Sequence, residues 1–99
     1  MALYLGIDIG TSASKGVLID DRCNIVCQAS CGHETDNPCD GWYQHDADAV
    51  WWGDFCRLSR ELVARSGVNA AQIGCVGLFA LGCDCVPVDT AASYSHLTL

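Results

Sequence analysis

The chain predicts an α/β domain: a mixed sheet of about five strands with one main helix packed on a face. Three observations carry this. Apolar runs of strand length open the chain and return after residue 73. One segment, from Asp46 to Arg65, has helical spacing. Gly, Asp and Asn cluster between these segments as turn formers.

Residues 3–9 read as a buried strand and residues 14–19 as its hairpin partner across Gly10-Thr11-Ser12. Asp20-Asp21-Arg22 is a turn. From Cys23 to Cys31 apolar and polar residues alternate as in a half-buried strand: Cys23, Ile25, Cys27, Ala29 and Cys31 against Asn24, Val26, Gln28 and Ser30. Residues 32–45 read as loop. Asp46 is the expected N-cap of the helix, and Asp48 adds charge favourable to the helix dipole. Trp51, Phe55, Leu58 and Leu62 form the inward stripe, while Asp54, Arg57, Glu61 and Arg65 are expected outside. Gly67 is the expected residue just past the helix C-terminus. Ile73 to Leu81 reads as a buried strand, and Cys83 to Val88 as a strand paired back onto it, with Pro87 at an edge or strand end.

Of the 99 residues, 51% are hydrophobic and 17% charged, and the net charge is −7. So apolar a composition suggests packing against something else, and self-association is expected. The acidic balance disfavours nucleic acid, whose phosphates it would repel. No basic segment precedes an apolar run in the manner of a signal peptide, and no run approaches the roughly 20 apolar residues of a membrane span. No membrane role is expected, and the expected location is cytoplasmic. The eight cysteines, at 23, 27, 31, 39, 56, 75, 83 and 85, include no CxxC pair. They read as free, reduced thiols acting as small hydrophobes. The acidic loop containing His33, Glu34, Asp36, Cys39, Asp40 and His45 has metal-capable groups without a ligand spacing, and reads as solvated.

Chemistry concentrates in Gly6-Ile7-Asp8-Ile9-Gly10-Thr11-Ser12-Ala13-Ser14-Lys15-Gly16. Glycine lets a backbone approach a phosphate closely, and successive turn amides bind anions. An aspartate at a strand end can hold Mg²⁺ through water, and a lysine adds a point charge. The same residues also serve as an ordinary hairpin turn. The order fits neither the Walker A loop nor the Rossmann glycine pattern.

This segment, with Gly41-Trp42-Tyr43-Gln44-His45-Asp46 before Val50-Trp51-Trp52, then Ile73-Gly74-Cys75-Val76-Gly77-Leu78 and Val86-Pro87-Val88-Asp89, resembles the N-terminal part of an FGGY-type carbohydrate kinase, xylulokinase-like. The resemblance implies a partial ribonuclease-H-like, actin-like ATPase domain and ATP- and Mg²⁺-dependent phosphoryl transfer to a sugar or polyol hydroxyl. By motif it implies Asp8 at the Mg²⁺ and Gly10, Thr11, Ser12 and Lys15 at the phosphates. Trp42, ahead of the helix, and Asp84, where xylulokinases carry a sugar-contact segment, are substrate candidates. The chain departs from the pattern at Gln44, where the family often has Glu, and at Leu81-Gly82-Cys83-Asp84. The family's base aspartate is expected downstream, so no catalytic residue is assigned here. Residues 1–89 read as the N-terminal part of the first kinase domain. Residues 90–99 read as an atypical tail, of the kind a truncation leaves. Two rivals stand beside this: an activator ATPase of the same superfamily holding an iron–sulfur cluster, and a non-catalytic interaction module.

Overall fold

The computed structural model describes residues 2–37, 39–41, 44–80 and 97–98. Strands β1 (Leu3–Ile9), β2 (Ala13–Asp20) and β3 (Ile25–Gly32) form an antiparallel meander. The chain then passes through the two-residue strand β4 (Gln44–His45), a π-helical turn (Ala47–Trp52) and helix α1 (Gly53–Ser66). It returns through a 3₁₀ turn (Ala70–Gln72) to β5 (Ile73–Ala80), which lies parallel to β1. The sheet order is β3-β2-β1-β5, and β4 pairs with β6 (Leu97–Thr98) in a separate ladder. The predicted strand at Cys83–Val88 lies outside the described residues, so the main sheet has four described strands.

Alternation in β1 sets the core. Leu3, Leu5, Ile7 and Ile9 point to one face and meet Leu18 of β2 and Leu58 and Leu62 of α1. Cys27, Ala29 and Cys31 of β3 pack on the edge of this cluster as the alternation predicted, whereas Cys23 and Ile25, expected on the same face, are exposed. Helix and sheet approach closely at Gly16, where a Cβ would stand 2.9 Å from Leu62 Cδ1 and 3.0 Å from Ile7 Cδ1.

The C-terminal boundary follows the sequence: Gly67, at φ 71°, donates its amide to the Val63 carbonyl. At the other end Asp46 accepts from the amides of Asp48 and Ala49, but it caps the π-helical turn, and the regular α-helix begins only at Gly53. Three expectations are corrected. Asp54 is inside, 1% exposed, because it shares the i, i+4 stripe of Leu58 and Leu62 and finds partners there. Strand β5 is exposed from Gly74 to Ala80: α1 lies over β1, β2 and β3, and among the described residues nothing covers the faces of β5. Cys23 sits at φ 63°, so β3 starts only at Ile25.

Candidate phosphate-binding hairpin

The tip of the β1–β2 hairpin is the candidate site. Register pairs Ile9 with Ser14 and Asp8 with Lys15. The Gly10 amide donates to the Ala13 carbonyl at 2.9 Å, leaving Thr11 and Ser12 as the exposed tip. A Cβ on Gly10 would also fall 2.9 Å from the Ala13 oxygen, so glycine is required by space. Among the described residues no hydrogen bond takes the amides of Thr11 or Ser12.

Asp8 and Lys15 are exposed on the sheet face opposite α1, with Phe79 next to Asp8 across β5. Among the described residues neither charge is held in an ion pair. Both line an open groove of about 850 Å³ with Val17, Ser30, Phe79 and Arg65. The Arg65 guanidinium reaches the β3 edge and donates to the Gln28 carbonyl at 3.1 Å. Asp8, Gly10, Thr11, Ser12 and Lys15 are thus brought to one end of one hairpin. Trp42 and Asp84 lie outside the described residues.

Behind the tip stands a polar network that the sequence reading missed. His33 Nε2 lies 2.8 Å from the Gly10 carbonyl oxygen and 3.1 Å from that of Thr11, and the His33 amide donates to the Ser12 carbonyl at 3.0 Å. His33 Nδ1 lies 2.8 Å from Asp54 Oδ2, which also accepts from the Ser14 hydroxyl at 2.7 Å. Arg57 Nη1 donates to Asp54 Oδ1 at 2.8 Å. Burial raises the Asp54 pKa, but the hydrogen bonds from Ser14 and His33 outweigh it and hold the carboxyl below its ordinary value. Burial, then the neighbouring Asp54 charge, pushes the Cys31 thiol up.

A second chain of bonds has a fixed direction. Trp51 Nε1 can only donate, and does so to His45 Nδ1 at 3.1 Å. The neutral His45 ring therefore carries its proton on Nε2 and donates to the Thr35 hydroxyl at 2.7 Å, which donates to the Thr11 carbonyl at 3.1 Å. His45 is 1% exposed and the His33 side chain 4% exposed; their rings meet edge to face at 5.2 Å. The two histidines are therefore bracing groups, and the expectation of a solvated loop is corrected at both. Glu34, Asp36 and Asp40 are exposed as expected. The signal that marks the braces is a polar residue inside an apolar stripe: Ser14 two residues before Gly16, and Asp54 four before Leu58.

Among the described residues no group of three or more His, Cys, Asp or Glu is placed to hold a metal ion, and the six described cysteines are unbridged.

The four described strands of the mixed sheet, with one helix on a face and a hairpin at the end, form part of the actin-like ATPase fold. Comparison with known proteins specifies the family. The FGGY family of carbohydrate kinases, N-terminal domain, matches residues 3–95. The chain belongs to this family. It is similar to a glycerol kinase of Rhodospirillum rubrum, 35% identical over 78 residues, covering 79% of this chain and 16% of that protein. A xylulose kinase structure from Brucella ovis superimposes with a TM-score of 0.90 at 28% identity, covering 98% of this chain and 20% of that one. The activator of the 2-hydroxyisocaproyl-CoA dehydratase from Clostridium difficile, with bound ADPNP, shares the fold less closely, with a TM-score of 0.57 at 22% identity over 81% of this chain and 24% of that one. The chain thus spans about a sixth of the length of the curated relatives it matches.

Proposed function

We propose that the chain supplies the first phosphate-binding loop of an ATP- and Mg²⁺-dependent carbohydrate kinase, which transfers the γ-phosphoryl to a sugar or polyol hydroxyl. One observation carries this reading: the carbonyls of Gly10, Thr11 and Ser12 are all taken from behind, while among the described residues nothing engages the amides of Thr11 and Ser12 at their exposed tip. Consecutive unengaged amides suit an anion. The residues present also fit the metal: Asp8 is an exposed carboxylate outside any ion pair among the described residues.

In this reading Thr11 and Ser12 face phosphate oxygens with amides and hydroxyls. Gly10 permits the close approach, Lys15 adds a positive point charge, and Asp8 holds Mg²⁺ through water. When bound, Mg²⁺ supplies charge neutralisation of the phosphates. No residue of the chain is assigned as the base. Trp42 and Asp84 are the sugar-side residues. Residues 1–89 form the N-terminal part of the first kinase domain and 90–99 an atypical tail. The setting is cytoplasmic, without nucleic-acid or membrane partners, and the isolated chain self-associates.

Titrating the purified chain with Mg²⁺ and ATP or pyrophosphate tests this. Backbone amide signals of residues 8–15 are expected to move. Asp8→Asn is expected to weaken the metal-dependent part, and Lys15→Met the anion part with or without Mg²⁺. Absence of any shift at millimolar ligand overturns the phosphate reading. No sugar phosphorylation is expected from these 99 residues alone in a coupled assay. Turnover abolished by Asp8→Ala would overturn the absence of a base.

A further inference from the structure

The network behind the hairpin does more than fill space, because a trans peptide ties the direction of each N–H to that of the preceding C=O. The two lie in one plane and point in opposite directions. The structure contains no cis peptide among the described residues. The Gly10 carbonyl belongs to the same peptide as the Thr11 amide, and the Thr11 carbonyl to the same peptide as the Ser12 amide. Whatever holds these two carbonyls inward therefore aims the two amides outward. His33 Nε2 holds both, at 2.8 and 3.1 Å.

We propose that His33 is a positioning residue for anion binding at this hairpin, and that it acts as the doubly protonated imidazolium. The proposal rests on the phosphate reading above and adds to it a proton requirement. Carbonyl oxygens only accept, so Nε2 must carry a proton. Its other nitrogen faces the carboxylate of Asp54 at 2.8 Å, which also only accepts when ionised. A neutral ring has one donor and must surrender either the hairpin or Asp54. Among the described residues the titratable groups around His33 are Asp54 and Arg57 from α1, the Cys31 thiol from β3 and neutral His45 from β4. Two cations face one carboxylate, leaving a net positive charge behind the Thr11–Ser12 tip. This favours an anion in front of it.

The test uses the whole chain and sulfate, an anion that keeps its charge between pH 5.5 and 8.5. Affinity is read from the Thr11 and Ser12 amide signals. It is expected to fall about tenfold across that range, as expected when a hydrogen bond to a charged group is lost. Removing the ring's donors while keeping a flat ring, His33→Phe, is expected to weaken binding at pH 5.5 by about the same factor and flatten the pH profile. His33→Gln keeps a single donor nitrogen and is expected to fall between them, also without pH dependence. A folded His33→Phe chain with wild-type affinity and pH profile overturns the proposal and leaves the phosphate site standing. If neither sulfate nor pyrophosphate moves these amides in the wild-type chain at any pH, the site itself falls, and the proposal with it.

A second readout needs no variant. The ring nitrogens of His33, followed by ¹⁵N shifts, are expected to be both protonated in the folded chain at pH 5.5. Sulfate is expected to raise the pH at which the proton leaves, since each ligand must favour the other equally. A ring neutral at pH 5.5, or a midpoint unmoved by bound sulfate, overturns the proposal.

Discussion

Strands β1 and β5 lie side by side, run parallel and have similar apolar composition, yet one builds the core and the other stands in the open. Leu3, Leu5, Ile7 and Ile9 of β1 are at most 5% exposed, whereas Val76, Leu78 and Phe79 of β5 are 48%, 62% and 74% exposed. Apolar runs record an affinity for cover and not where the cover comes from. Here α1 covers β1, β2 and β3, with Gly16 making room for Leu62. The candidate site sits where the covered strands β1 and β2 meet in their hairpin, with His33 and Asp54 behind its tip.

The sharpest way to break this comparison is to truncate matched leucines. Leu58→Ala and Leu62→Ala, both at fully buried positions, are expected to cost about 2–5 kcal/mol each by denaturant unfolding. Leu78→Ala is expected to cost about 0.5 kcal/mol or less, as an exposed position should. Equal losses would mean that β5 is buried in solution, and the contrast between the strands would vanish.

Next in size is the polar brace. Asp54→Asn keeps the shape and removes the charge that Ser14, His33 and Arg57 share, at an expected cost of about 1–3 kcal/mol near neutral pH. The sign with pH follows from the lowered Asp54 pKa. A carboxyl held below its unfolded value stabilises the fold above that value, and the stabilisation fades as pH falls through the folded one. The gap in thermal midpoint between wild type and Asp54→Asn should therefore narrow below about pH 4. A gap that widens on acidification would show that the charge at Asp54 is a burden to the fold.

Much of this architecture was legible in the residues. The bounds of β1, the hairpin, the Asp46 cap and the Gly67 terminus follow from alternation, spacing and turn chemistry, which are local. The turn at Gly10, Thr11 and Ser12 was legible because turn chemistry is also local. The brace was not. Ser14 and Asp54 are 40 positions apart, and His33 reaches both hairpin and helix only through the fold. An aspartate on a helix reads as solvent-facing until a partner is known to wait inside. The histidines were hidden for the same reason, lying among exposed acids in a segment whose composition resembles a solvated loop. The exposure of β5 was illegible because it depends on what packs there, which no property of Ile73–Ala80 encodes.

The smallest stability effect and the most direct probe of the open side is Phe79→Ser. Phe79 faces the groove beside Asp8 and is 74% exposed, so its removal takes little from the folded chain, within about 0.5 kcal/mol. Its effect on association should be larger. Val76, Leu78 and Phe79 put apolar surface on both faces of β5, and such a strand invites pairing or stacking with another copy. The wild-type chain is expected to show a concentration-dependent rise in mass by light scattering and to bind a hydrophobic dye. Phe79→Ser should lower both, and Leu78→Ser in addition should lower them further, because the two side chains serve opposite faces. A variant that associates as strongly as wild type would place the sticky surface elsewhere. In that case the openness of β5 would be a matter of packing alone, without consequence for how copies of the chain meet.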